Sequence, residues 1–374
     1  MTYLNSIEIG AAGQKTLPKE AYCSPEIFER EQTQIFEQTW LCVCRAAEIA
    51  EAGSYRLRQI GAESLIIVRD SDSRVHAHFN VCRHRGTRLC LAESGTLART
   101  IQCPYHAWTY DLDGRLVGVP DEKQLREFCR EDYRLRSAET YEWEGFVWIH
   151  LAEGPLPFPQ HINTLQGKFA AWNLPQLSSL GSRVYDVAAN WKLIVQNYSE
   201  CYHCSVIHPA LVKFTPPKSG GNDLVAGPFL GGFMDVTQPG GSLTSSGRAC
   251  GIPLGPLSPT EMQRVYYYVI FPNMLLSLHH DYAMVHTLWP ISVDRTRVEC
   301  EWLFHPKTEK NAQFDPTEGI EFWDKTNRED WHVCQLTQLG VSSSRYQPGP
   351  YSDREAMVAA FDRHYLATMS TNQK

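Results

Sequence analysis

The sequence predicts an α+β chain of two domains, a small all-β domain over residues 41–155 and a larger mixed domain over 156–374. Three observations predict it. Short β-type runs such as Glu63–Arg69 and 145–150, separated by Gly and Asp turns, fill the chain from Leu41 to about Leu151. The stretch 153–159 is proline-dense and reads as a boundary. Beyond it, helical periodicity appears at 194–208 and 318–339, while 265–270, 283–289 and 298–304 read as strands.

Residues 1–40 are expected to form a helical lead-in, because Pro25 after Ser24 is a good helix start and Ile27, Phe28, Ile35 and Phe36 recur at helical intervals. The first thirty residues lack the basic start and apolar core of a signal peptide. No window approaches the roughly 20 apolar residues of a membrane helix. A cytoplasmic protein with no membrane contact is therefore expected. A net charge of −7 argues against a nucleic-acid partner, which needs a concentrated basic patch. With 374 residues, 43% apolar and 21% charged, the chain is long enough for two hydrophobic cores. The Gly-, Ser- and Pro-rich segment 220–255 is expected to lack regular secondary structure, as a loop, a lid or disorder.

Two clusters carry the chemistry of the first domain: Cys82-Arg83-His84 and Cys103-Pro104-Tyr105-His106, with 18 residues between His84 and Cys103. They look like the ligands of a Rieske [2Fe-2S] cluster, in which two thiolates hold one iron and two imidazoles the other, raising the reduction potential. Zinc is the rival metal, although its Cys₂His₂ sites usually place both cysteines before both histidines. Ordinary buried thiols are the third reading. Arg85-Gly86 follows the first pair, and 107–114 reads as strand, turn and strand, so two adjacent hairpins are expected to present the ligands. The other ten cysteines show no framework spacing and are expected to stay reduced.

In the second domain Glu200, His203 and His208 stand out, within a run opened by Asn190-Trp191-Lys192 and closed by Pro209. At about 100° per residue a regular helix would splay the two imidazoles by roughly 140°. They reach one metal only if the helix bulges or ends here, and Pro209 biases His208 away from helical backbone. Two satisfied histidines on a half-buried helix is the plainer alternative.

Together these motifs resemble the α (large) subunit of Rieske non-haem iron oxygenases over nearly the whole length. The resemblance implies an all-β Rieske [2Fe-2S] domain followed by a helix-grip (START-like) catalytic domain with an antiparallel sheet. It implies a mononuclear Fe(II) held by His203, His208 and a carboxylate. Asp330 is the expected carboxylate, with Asp324 and Glu329 as local competitors, and an acidic run is also a common solvated face. Glu200 stands where the family usually has an aspartate that bridges a Rieske histidine of a neighbouring subunit to the mononuclear site. Glu200 and Asn197 are the expected catalytic residues. Electrons would come from NAD(P)H through a separate flavin and iron–sulfur reductase, because no G-x-G-x-x-G opens a helix after a strand in this chain. A homotrimer, possibly with a β subunit, is implied.

A glutamate at 200, with Asn190-Trp191-Lys192, Glu200-Cys201-Tyr202-His203-Cys204 and Phe271-Pro272-Asn273-Met274, resembles the glycine betaine, choline and carnitine branch. The substrate it implies is a quaternary ammonium compound, whose N-methyl group is hydroxylated and lost as formaldehyde. Tyr198, Tyr202, Tyr266, Tyr267, Tyr268, Phe271 and Trp289 are candidates for an aromatic cage. Strand alternation lets only one or two of Tyr266, Tyr267 and Tyr268 face a cavity. Cis-dihydroxylation of an aromatic ring uses the same ligands and stays open, as does a Rieske electron carrier without oxygenase activity.

Overall fold

The computed structural model describes residues 14–371, so the first part of the expected lead-in lies outside the described residues. The chain divides into two compact units. Residues 36–164 form one, and 14–35 together with 165–371 form the other. The boundary thus falls at 164/165, later than the proline-dense stretch, because the helix Phe158–His161 (α3) still packs on Trp40 and Trp148 of the first unit.

The 36–164 unit is all-β apart from short helical turns. Its large sheet contains β1 (Leu41–Arg45), β2 (Ser54–Ile60), β3 (Glu63–Arg69), β4 (Val75–Phe79), β5 (Ser94–Thr96), β9 (Ser137–Trp143) and β10 (Phe146–His150), in the order β1-β10-β9-β4-β3-β2-β5. β3 is rich in β-branched residues and buried along almost its whole length, as a central strand should be. A separate three-stranded sheet holds β6 (Thr100–Gln102), β7 (Thr109–Asp111) and β8 (Leu116–Gly118). Gly114, at φ 89°, makes the turn between β7 and β8.

The lead-in helices α1 (Glu20–Cys23) and α2 (Pro25–Glu31) belong to the other unit. Ser24 caps α2 through the Ile27 N–H, as its sequence position suggests, and a π turn then replaces the expected continuation to Trp40. Glu31 is fully buried and explains the attachment. It accepts bonds from Lys192 Nζ (2.5 Å), Tyr365 Oη (2.6 Å) and Trp191 Nε1 (2.8 Å).

This unit's sheet is antiparallel, with β11 (Ser178–Val187), β12 (Gly221–Ala226), β13 (Phe229–Asp235), β14 (Arg264–Ile270), β15 (Met274–Leu278), β16 (Ala283–Ser292) and β17 (Arg295–Phe304) in the order β11-β17-β16-β15-β14-β13-β12. The expectation of an unstructured 220–255 is thus corrected. Its first part is the hairpin β12–β13, whose turn uses Gly227 at φ 80° and whose strand β13 carries Gly231 and Gly232, where a Cβ would meet neighbouring backbone at 2.0 Å. The rest is loop, anchored where the buried Asp281 accepts Ser242 Oγ and the Cys250 N–H at 2.8 Å each.

The helices of this unit are α4 (Trp191–Tyr198), α5 (Cys204–Ile207), α6 (Pro316–Val341) and α7 (Ala356–Thr371). α4 packs on α6 and α7, and α6 on β11. α6 starts with Pro316 in its first turn after the Asp315 cap and buries a stripe that includes Trp323, Asn327, Trp331, Cys334 and Gln338. A long helix gripped by an antiparallel sheet is the architecture the sequence led us to expect.

Candidate metal centres

In the 36–164 unit the four expected cluster ligands lie on two loops, but only the second is a hairpin loop. Cys82 and His84 sit on the connection from β4 to β5, which are not neighbours in the sheet, whereas Cys103 and His106 join β6 to β7. The loops nevertheless repeat one turn. The Cys82 N–H bonds Thr87 O and the Gly86 N–H returns to Cys82 O, both at 2.9 Å; Cys103 N–H bonds Trp108 O (2.8 Å) and the Ala107 N–H returns to Cys103 O (3.1 Å). Gly86 (φ 77°) and Ala107 (φ 53°) take the same left-handed step.

Both cysteines are 2% exposed and join a core with Ile66, Ile101, Trp108 and Tyr110, while His84 is exposed and His106 half-buried. The imidazoles meet edge to face at 4.8 Å, and Trp108 stacks on His84 at 4.8 Å. Burial pushes the Cys82 thiol up, opposed by a bond from Tyr110. At Cys103 burial has the same tendency, but the N–H groups of Tyr105 and His106 outweigh it and hold the thiol below its ordinary value. The fit to a cluster rests on this chemistry and on one orphan: Nδ1 of His106 is buried without a hydrogen-bond partner. Tyr110, whose hydroxyl lies 3.3 Å from Cys82 Sγ and accepts the Arg83 N–H at 3.0 Å, was not singled out from the sequence. Its place beside the second ligand loop was the only available signal.

In the other unit the helix carrying the histidines breaks. Asn190 caps α4 through the Lys192 N–H, and α4 ends at Tyr198, where Ser199 Oγ bonds Val195 O at 2.6 Å. Glu200 then accepts the backbone N–H groups of Tyr202 and His203, turning the chain into α5. His208 leaves helical backbone (φ −118°, ψ 67°) directly before Pro209. The break supplies the irregularity that the spacing demanded.

As a result His203 Nε2 and His208 Nε2 lie 3.2 Å apart, and Asp330 Oδ1 of α6 lies 3.2 Å and 2.9 Å from them. These three side chains form a group placed to hold a metal ion, each offering one donor atom. The competitors have other roles. Asp324 accepts from Tyr185 Oη (2.7 Å) and Arg328 Nε (2.9 Å), away from the histidines. Glu329 Oε2 is 2.8 Å from His208 Nδ1, and Glu200 Oε1 is 2.5 Å from His203 Nδ1, so each imidazole has a carboxylate on its far nitrogen. Burial disfavours a charged His203, but Asp330 and Glu200 outweigh it and push its pKa up to about 10; at His208 burial is likewise outweighed, by Asp330 and Glu329, and its pKa is raised. Asp330, despite burial, is held below the ordinary carboxylate range by the two imidazoles. A divalent cation would replace those protons.

One correction concerns thiols expected to be reduced. Cys201 and Cys204 form a disulfide, their Cα atoms 4.9 Å apart across the turn between α4 and α5. The other ten cysteines are free.

The triad opens on a cavity of about 520 Å³. Asn197, Tyr198, Glu200 and Tyr202 line it, and of the three consecutive tyrosines only Tyr267 does. Tyr266 and Tyr268 point to the other sheet face, against Trp172 and Phe169, while Phe271 packs between Trp191 and Phe361. Trp289 is also outside the lining. The sequence reading missed Phe233, Lys218, His286, Trp323 and Arg354 in the wall. Burial holds His286 neutral, its pKa lowered to about 4.

Comparison with known proteins fits this geometry. Residues 39–129 match the Rieske [2Fe-2S] domain, and 174–371 match the ring hydroxylating alpha subunit (catalytic domain). The chain is 31% identical to the glycine betaine monooxygenase oxygenase subunit of Pseudomonas aeruginosa (strain UCBPP-PA14), over 90% of this chain and 85% of that protein. It is 37% identical to the carnitine monooxygenase oxygenase subunit of Acinetobacter baumannii, over 52% of this chain and 53% of the relative. The crystal structure of the quaternary ammonium Rieske monooxygenase CntA with an inhibitor superposes with a TM-score of 0.82 at 25% identity, covering 98% of this chain and 97% of that one. Naphthalene 1,2-dioxygenase from Rhodococcus shares the fold, with a TM-score of 0.75 at 22% identity over 96% of this chain and 95% of that one. The chain belongs to the Rieske-type ring-hydroxylating oxygenase family, as an α subunit that joins a Rieske [2Fe-2S] domain to a mononuclear-iron catalytic domain.

Proposed function

We propose that this oxygenase component N-demethylates a quaternary ammonium compound such as glycine betaine, with Cys82, His84, Cys103 and His106 holding the cluster and His203, His208 and Asp330 the mononuclear iron. The observation that carries the substrate class is the aromatic wall facing the triad, Tyr198, Tyr202, Tyr267, Phe233 and Trp323, in a chain related to betaine and carnitine oxygenases over most of its length. Aromatic faces attract a methylated ammonium that no hydrogen-bonding group can hold. Lys218 and Arg354 in the same wall offer a counter-charge for a carboxylate at the substrate's other end.

When bound, the mononuclear iron supplies dioxygen activation at positions the triad leaves open. The chain's own residues do the rest. Glu200 and Glu329 accept from the far nitrogens of His203 and His208, fixing tautomer and ring orientation. The neutral His286 adds no cation of its own to the wall. We assign the exposed His84 as the edge that would hold the cluster next to Glu200 of a neighbouring copy in a homotrimer, where Glu200 would bridge the two sites by hydrogen bonds; the electrons would be supplied by a separate flavin and iron–sulfur reductase, in the cytoplasm.

The test is turnover by the purified chain with such a reductase, NADH and O₂. Formaldehyde and dimethylglycine from glycine betaine, in step with NADH consumed, are expected. Diol formation from an aromatic substrate with no formaldehyde from any methylammonium compound would overturn the assignment.

A further inference from the structure

In the wall of the cavity, Oη of Tyr267, Nδ1 and Nε2 of His286 and Nε1 of Trp331 are buried with no hydrogen-bond partner among the described residues. Buried polar groups are nearly always paired, so orphans gathered in one cavity point to a ligand. The fold brings them together. Tyr267 of β14 stands opposite Ser277 of β15, and Ser277 opposite Met284 of β16, so His286, two residues on, shares their face of the sheet. Tyr198 Oη is 2.8 Å from Ser277 Oγ, and its ring lies 6.0 Å from that of Tyr267 and 6.3 Å from that of His286. Trp331 of α6 closes the group from the helix side, its ring 5.9 Å from His286 and nearly perpendicular to it. Asn327, an amide beside His286, turns its Nδ2 to Tyr185 Oη (3.4 Å) and Cys300 Sγ (3.7 Å). His286 is 1% and Trp331 6% exposed, whereas Arg354 stacks at 4.8 Å on Tyr202, which is 52% exposed. The cavity therefore has an open cationic end and a buried, uncharged polar end.

We propose that Tyr267, His286 and Trp331 form a second binding subsite, which takes an uncharged oxygen, a hydroxyl or a carbonyl, on the chain that the substrate's ammonium group carries. The inference rests on the reading of the cavity as a methylammonium site and names a further group that its substrate bears. The indole N–H, the phenol O–H and one imidazole N–H donate toward such an oxygen, while the other imidazole nitrogen and the phenol oxygen accept a hydroxyl proton. A carboxylate fits worse here, because none of the three side chains is a cation and a charge buried without a partner is costlier than an uncharged group. Arg354 serves a carboxylate at the open end. A cavity of about 520 Å³ has room for a chain that reaches both ends. An alkyl group in place of the oxygen would leave the buried donors unpaired, the asymmetry by which a site rejects an analogue that lacks one hydroxyl.

The experiment is anaerobic titration calorimetry of the full chain, with its cluster and iron in place, against two cations of equal charge and similar size: choline, and propyltrimethylammonium, in which a methyl group replaces the hydroxyl. Wild type should bind choline about 10- to 100-fold more tightly. Tyr267→Phe, which removes one oxygen and keeps the ring, should cut that ratio, and His286→Leu should cut it independently. The ratio is the readout because a merely structural defect weakens both ligands alike and leaves it where it was. Equal affinity for the two cations in wild type, the result if these atoms bind only water, would overturn the subsite while leaving the methylammonium reading intact. A ratio unmoved in both variants would do the same. Binding of neither cation, nor of glycine betaine, would overturn the methylammonium reading itself and the subsite with it.

Discussion

The two metal centres are built on opposite plans. In the 36–164 unit each proposed ligand pair is close in sequence and is shaped by its own five-residue turn, so that the same backbone bonds recur at Cys82 and at Cys103. In the catalytic unit a helix must break between Tyr198 and Cys204, and a carboxylate from a helix far along the chain must arrive at the break. The first plan is local and the second is tertiary. The difference teaches where each site is vulnerable: a loop site fails when its own residues change, whereas an assembled site also depends on the packing of the elements that carry it.

The largest effects are expected from removing one proposed ligand of each site. Cys82→Ala should lose the cluster and its sulfide while keeping one iron per chain. Asp330→Ala should do the reverse, falling from about three irons to two with sulfide unchanged. Iron and acid-labile sulfide analysis checks both, and loss of both metals in either variant would show that the sites are not independent.

The far carboxylates should matter less. Glu329→Gln and Glu200→Gln each replace an acceptor on an imidazole, and changes at such positions typically cost about 10–100-fold in metal affinity or activity. Measured iron affinity equal to wild type in Glu329→Gln would mean that the His208 contact is incidental.

A scaffold effect comes third. Asp362 of α7 accepts from Gln196 of α4 and from Tyr351, both at 2.6 Å, and burial raises its pKa to about 6. The folded state thus holds this proton more tightly than the unfolded chain. Stability from this group is full below about pH 4 and falls as pH rises to about 6, by about 3 kcal/mol at most. Denaturant unfolding at pH 4.5 and 7 should show that slope in wild type and a shallower one in Asp362→Asn. Equal slopes would remove Asp362 from the account.

The smallest effect belongs to the local plan. Gly86→Ala adds a Cβ with nothing within 4 Å, so its only cost is the left-handed backbone, about 1–2 kcal/mol, which Ala107 already bears in the sister loop. Cluster content should be unchanged. A variant that loses its cluster would break the equivalence of the two turns.

Much of this was legible in the residues. The two Cys/His pairs, the strands β3, β14, β16 and β17, the long helix α6 and the need for an irregularity before Pro209 follow from local preferences. The stripe on α6 offered a further clue, since Asp330 lies seven residues after the buried Trp323 and directly before the buried Trp331. The hairpin β12–β13 was hidden because its glycines, Gly231 and Gly232, serve close backbone approach, which composition does not separate from a loop. The Cys201–Cys204 bond was hidden because no framework spacing announces a single disulfide.

What the sequence by itself determined is therefore the set of chemical groups and the backbone preferences within a few residues of each. Only the tertiary structure decided that Asp330 meets both histidines while Asp324 turns to Tyr185, that Tyr267 alone of the three consecutive tyrosines faces the cavity, and that Glu31 ties the lead-in to Lys192. The physical reason is that side-chain chemistry and turn formation are local, whereas donor geometry within a few ångströms depends on how helices and strands distant in sequence bury their apolar faces against one another.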